Sequence, residues 1–135
     1  QRKDGASLKH DISVPVSQVP RFIEVAGSWV AQHIPQGVLV SYGHLGDGNV
    51  HFNLSQPVGA DPAAFLARWD ELAAGVHQIA VDFGGSFSAE HGIGSLKVGE
   101  LERWRGGTAL ELMRAIKAVL DPHDIMNPGK LLRPR

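Results

Sequence analysis

The residues of this chain best suited to chemistry are two histidines and a Glu-His pair. His44 and His51 lie in the run Gly43-His44-Leu45-Gly46-Asp47-Gly48-Asn49-Val50-His51, and Glu90 is followed at once by His91, Gly92 and Gly94. Two imidazoles and a carboxylate, with positions left open for water or substrate, suit a catalytic Zn²⁺ site or a non-haem Fe or Mn site. His91 is suited to act as a general base, because an imidazole titrates near neutral pH and glycines beside it let backbone approach a ligand. Plainer roles are open to the same residues. His44 and His51 can be exposed cross-strand or core histidines, and His91 a loop histidine. Spacing alone favours neither reading.

Positioning them requires a hairpin. Asp47-Gly48 between two runs of strand formers predicts a type I′ turn, which needs positive φ at both central residues. The pairing that follows sets Gly46 opposite Asn49, Leu45 opposite Val50, His44 opposite His51, and Tyr42 opposite Asn53. Side chains alternate across a strand, so His44, His51, Tyr42 and Asn53 share one face, with opposed Cβ atoms roughly 5 Å apart. Glu90 ends a later strand that can join the same sheet. Asp47 reads as a turn residue. Asn53 suits a hydrogen bond to substrate or an exposed strand position, and Lys9 a contact to a substrate carboxylate or a solvated surface. His10, His33, His77 and His123 have no pattern around them and read as structural or surface. The stretch GIGSLK has neither the spacing nor the context of a Walker loop.

The remaining elements follow in order. Residues 1–8 read as a linker. Lys9 to Val16 alternates as a half-buried strand, with Pro15 marking an edge or an end. Ser17 can cap a helix with Pro20 in its first turn, and Phe22, Ala26, Trp29, Val30 and His33 form its apolar stripe before Pro35 and Gly37 end it. Val38 to Tyr42 and Val50 to Leu54 are the hairpin arms, and Pro57-Val58-Gly59 breaks the second. Asp61 and Pro62 start a long helix whose stripe runs from Phe65 to Phe83. Gly84 to Ser88 reads as a short strand. Strand, helix, strand, strand, helix, strand is the α+β, ferredoxin-like split βαβ order, an antiparallel sheet with helices on one face, over residues 9–89. Residues 90–135 form a tail that packs elsewhere. It comprises the EHGIG loop, a helical piece with Leu96, Leu101 and Trp104, and a helix with a Thr108/Glu111 capping box carrying Leu112, Met113, Ile116, Val119 and Leu120. Asp121-Pro122 ends that helix, and a turn follows at Asn127 to Lys130.

Composition narrows the class. The 135 residues are 43% hydrophobic and 20% charged, with a formal net charge of −1. Such a chain suits one domain with a real core, and nothing electrostatic points to nucleic acid or an anionic membrane. No apolar stretch is long enough for a transmembrane segment, and no signal-peptide pattern is present at the N-terminus. With no cysteine, disulfides and thiolate ligands are excluded, so any metal must sit on histidines and carboxylates. That composition is compatible with a cytoplasmic location. A start at Gln1 suggests a piece of a longer protein.

Three stretches, GHLGDGNVHFN, FSAEHGIGSLK and DPHDIMNPGKLL, resemble in order the signature blocks of the C-terminal domain of FAD-linked oxidases. These are flavoproteins of the vanillyl-alcohol oxidase type, in the branch holding D-lactate dehydrogenase, glycolate oxidase and D-2-hydroxyglutarate dehydrogenase. The resemblance runs from about Lys9 to Leu132. It implies a ferredoxin-like substrate domain in which His44, His51 and Glu90 bind a divalent ion, Zn first, with Mn or Fe as alternatives. It also implies His91 as the base, Asn53 and Lys9 as contacts to a small 2-hydroxy acid substrate, and Asn127 as a neighbour of the flavin. FAD itself would be bound mainly by an N-terminal domain, on the same chain or a partner, without which the chain is not an active oxidoreductase. Electron transfer to an acceptor would set it at most peripherally on a membrane. A stand-alone metal-dependent hydrolase and a non-catalytic binding module are the rival readings.

Overall fold

Alternation of side chains along the first strand sets the architecture. The computed structural model describes residues 5–134, in two units divided after His91. In β1 (Ser7–Ser13), Leu8, His10 and Ile12 point into the core, while Lys9 and Asp11 lie on the other face. β1 pairs antiparallel with β3 (Asn49–Ser55), which pairs antiparallel with β2 (Val38–Tyr42), giving the order β1-β3-β2. Val50, Phe52 and Leu54 of β3 continue the apolar face.

That face is covered by α1 (Val19–His33) and α3 (Trp69–Asp82). Phe22, Ala26 and Val30 form the buried stripe of α1, and Leu72, Val76 and Ala80 that of α3. Phe22 meets Phe52 edge to face at 5.6 Å and Phe83 at 6.0 Å. Such ring pairs add about 0.5–1.5 kcal/mol each beyond their burial.

The fold is α+β, and several sequence expectations need correction. Of the linker expected over 1–8, residues 1–4 lie outside the described residues. The rest is not linker: the strand begins at Ser7, and Leu8 is fully buried. Ser17 sits in a short 3₁₀ turn and makes no cap. Asp61 does cap, accepting from the amides of Ala63 and Ala64, but its helix α2 (Pro62–Ala67) stops at Arg68 before α3 begins. The last strand is reduced to a single bridge, Ser13 with Ser86, on the outer edge of β1. Gly85 makes that bridge close, since a Cβ there would stand 2.0 Å from the Ser13 carbonyl oxygen.

The second unit holds α4 (Val98–Trp104) and α5 (Thr108–Leu120), with Val98, Leu101, Leu110 and Leu132 buried. Leu96 precedes α4 and is exposed, and the Thr108 capping box does not form, because Thr108 is already helical behind Gly107. No helix among the described residues is long and apolar enough to cross a membrane.

After α5, Asp121 organises the chain. Its carboxylate accepts from Lys117 Nζ and from the amides of Ile125 at 3.0 Å and Met126 at 2.9 Å. The Lys117 hydrogen bond foremost, then the two amides, outweigh burial and lower the Asp121 pKa from 3.8 to about 2. A depressed carboxylate pKa stabilises the folded state above its ordinary value, and that stability is lost as pH falls through the folded one. The wild-type chain is therefore expected to lose stability relative to Asp121→Asn between pH 3.8 and about 2. Urea midpoints of both proteins across that window measure the difference.

Candidate active site

The face of the sheet opposite the core carries two cross-strand rows. Asp11, His51 and Tyr42 form one, and Lys9, Asn53 and Val40 the other. This register corrects the predicted hairpin, in which His44 opposed His51 and Tyr42 opposed Asn53. The turn is not a two-residue type I′. Leu45–Asp47 forms a helical turn closed by Gly48 at φ 76°, so the connection is longer and β2 ends at Tyr42. A Cβ on Gly48 would stand 2.0 Å from the carbonyl oxygen of Val14, and the Val14 amide donates to Gly48 at 3.0 Å. Glycine thus lets the turn lie against the chain leaving β1. Asp47 is a turn residue, its carboxylate accepting from the Asn49 amide at 3.1 Å.

His44 reaches the site from this loop rather than from the strand. Its Nδ1 lies 2.9 Å from Glu90 Oε1, while His51 Nε2 lies 3.9 Å from Glu90 Oε2. The two imidazole centroids are 6.3 Å apart. One carboxylate therefore faces both rings, so the longer loop brings together what the predicted register would have paired directly. His91 flanks this group, its ring 6.0 Å from that of His51, and the Tyr42 ring lies 5.1 Å from His51. Glu90, His44 and His91 are exposed, whereas His51 is largely buried. Lys9 is exposed and Asn53 buried, paired across β1 and β3.

Sequence reasoning missed Asp11. Its side chain is 3% exposed, and one oxygen, Oδ2, accepts the backbone amides of Ala89, Glu90 and His91 at 3.2, 2.9 and 2.8 Å. The other, Oδ1, lies 3.9 Å from His51 Nδ1 and 3.5 Å from Asn49 Nδ2. Burial pushes the Asp11 carboxyl up, but the amides of His91 and Glu90, the charge of His91 and the amide of Ala89 together hold it below its ordinary value. The available signal was strand alternation, which puts Asp11 on the same face as Lys9.

Donor atoms of Asp11, Glu90 and His91 also lie within 4.8 Å of one another. One Asp11 oxygen, Oδ2, already accepts three amides. His44, His51 and Glu90, gathered here, are of the residue types that hold a divalent ion such as Zn, Mn or Fe.

The other histidines are structural or peripheral. His10 is buried with Nδ1 2.8 Å from the Phe52 carbonyl oxygen and its ring against His77, and His33 stacks on Trp29 at 3.9 Å. His123 is exposed. Asn127 belongs to the second unit, in the turn closed by the Lys130 amide donating to its carbonyl at 3.2 Å, with φ 50°.

Comparison with known proteins agrees with these blocks. The chain is 42% identical over 123 residues to a D-2-hydroxyglutarate dehydrogenase of Stutzerimonas stutzeri, covering 91% of this chain and 26% of that protein. It is 44% identical over 95 residues to a D-lactate dehydrogenase of Archaeoglobus fulgidus, covering 70% of this chain and 20% of that protein. It is 28% identical over 130 residues to the glycolate oxidase subunit GlcD of Bacillus subtilis, covering 96% and 27%. The chain thus spans about a quarter of the length of these relatives. Residues 1–131 match the family described as FAD linked oxidases, C-terminal domain, and the chain belongs to that family.

Proposed function

We propose that this chain is the substrate- and metal-binding part of an FAD-dependent D-2-hydroxy acid dehydrogenase. The observation that supports this most is the Glu90 carboxylate set between His44 and His51, with His91 adjacent, on the sheet face that carries Lys9 and Asn53. A divalent ion on His44, His51 and Glu90 would supply positive charge that lowers the pKa of a bound hydroxyl. FAD, bound mainly by the rest of the protein, would accept hydride from substrate C2 at N5.

The residues of this chain do the remainder. Lys9 holds the substrate carboxylate by charge, and Asn53 fixes its orientation by hydrogen bonding. His91, exposed beside the ligand group, takes the hydroxyl proton on its ring nitrogen as hydride leaves C2. Asn127 contributes on the flavin side. The chain alone, without a flavin-binding partner domain, is inactive as an oxidoreductase.

The test is anaerobic flavin bleaching in the intact protein. D-Lactate or D-2-hydroxyglutarate is expected to bleach the oxidised flavin, the L isomers are not, and prior chelation of the metal abolishes the response. Failure of every 2-hydroxy acid to bleach the flavin overturns the proposal. Flavin-independent hydrolysis that needs the metal would replace it with the hydrolase reading.

A further inference from the structure

We propose that Asp11 is the positioning residue of this site, one carboxylate that sets the segment bearing Glu90 and His91 and the ring orientations of His51 and His91. The inference rests on the functional reading above, but it concerns a residue that neither binds substrate nor ligates metal. A loop whose three consecutive amides, Ala89, Glu90 and His91, converge on one oxygen is fixed in both position and direction. The Ala89 amide also lies 3.1 Å from the Asp11 carbonyl oxygen, a second attachment of the loop to β1. These bonds run 78 to 80 residues along the chain, so they join two ends of the first unit close to the bridge between Ser13 and Ser86.

The same carboxylate faces two imidazoles. His51 Nδ1 is 3.9 Å from Oδ1, and His91 Nδ1 is 3.7 Å from Oδ2. Neither distance is a hydrogen bond, but both put a negative charge opposite Nδ1. That favours the Nδ1–H tautomer in each ring and leaves each Nε2 with its lone pair. His51 Nε2 is the atom that faces Glu90, where a ligand lone pair is needed. In His91 the same choice leaves Nε2 to receive a proton. A buried carboxylate behind a ligating histidine is a known way of fixing ring orientation and basicity, and losing it costs about 10–100-fold in metal affinity or activity.

Asn49 completes the arrangement. It is buried, its Nδ2 lies 3.5 Å from Asp11 Oδ1, and it pairs from β3 with Ser13 of β1. The amide thus limits the rotation of the carboxylate that serves the two rings.

The experiment uses the intact flavoprotein and measures Zn²⁺ and Co²⁺ affinity by chelator competition in wild type, Asp11→Asn and Asp11→Glu. Asp11→Asn is expected to bind at full stoichiometry with about 10–100-fold weaker affinity, and Asp11→Glu to recover part of the loss. Reduced stoichiometry at wild-type affinity would mean that a fraction of molecules is merely misfolded, and that result overturns a positioning role. Unchanged affinity in Asp11→Asn overturns it as well, and leaves the dehydrogenase reading standing. A wild type that binds neither ion overturns both. Should Asp11→Asn not fold, ¹⁵N spectra of the histidine rings in wild type decide. Nδ1–H at both His51 and His91 supports the assignment, and Nε2–H at both rejects it.

Discussion

Replacing His91 with alanine in the intact protein is expected to slow substrate-driven flavin reduction about 10²–10⁴-fold, the range for a lost general base. His91 is the exposed imidazole beside the ligand group, attached to it by sequence at Glu90 and by ring contact to His51 at 6.0 Å. Its backbone amide is tied to Asp11 at 2.8 Å, and that bond survives the substitution. Alanine should therefore remove the proton acceptor without releasing the loop. Binding of the hydroxy acid, proposed to depend on Lys9, Asn53 and the metal, is expected to stay near wild type. Stopped-flow bleaching with a saturating D-hydroxy acid gives the rate, and its concentration dependence gives the affinity. A wild-type rate would remove His91 from the chemistry and direct attention to solvent or the flavin as the proton acceptor.

The second large effect is expected at the ligands. His44→Ala/His51→Ala should lose bound metal, with affinity falling by at least the roughly 100-fold that changes behind a ligand can reach. Elemental analysis of protein purified without added metal or immobilised nickel measures this and identifies the ion. Stability reports it independently. A ligand that binds only the folded state at a hundred times its dissociation constant contributes about 2.7 kcal/mol, so wild type should gain that stabilisation on metal addition and the double variant should not. His44 is exposed and His51 lies on the sheet face opposite the core, so neither substitution opens the core. Metal retained at wild-type affinity would disprove the ligand set and point to the neighbouring Asp11, Glu90 and His91 atoms instead.

The parts of this fold that sequence made legible are those governed by local pattern. Alternation in β1, the stripe of α1 and the Asp61-Pro62 helix start depend on residues near each other in the chain, and each is present. The misreadings came from competition between local and distant partners. Asp47-Gly48 has the composition of a two-residue hairpin turn, but Gly48 lies against Val14, so the loop follows the chain leaving β1 and not the strand twist alone. The stripe from Phe65 to Phe83 continues across Arg68, where the backbone leaves the helix and the guanidinium binds Glu71 and the His33 carbonyl. Periodicity does not register such a break. Asp11 escaped notice because its partners are amides some 80 residues away, and amides carry no signature in sequence. His44, His51, Glu90 and His91 were singled out by residue type and by the resemblance of their blocks to a known family, while spacing alone left plainer roles open to them. Their mutual distances were not.

β1 makes the core and the site inseparable. Leu8 and Ile12 seal one side of a strand whose other side holds Lys9 and Asp11. Inserting or deleting one residue before Ser7 leaves the strand untouched, whereas the same change within it exchanges the two sides. Lysine and aspartate would then face Phe52 while leucine and isoleucine faced the histidines. Variation in this segment is therefore restricted to substitution, and even neutral drift of the chain must keep the parity of these seven positions.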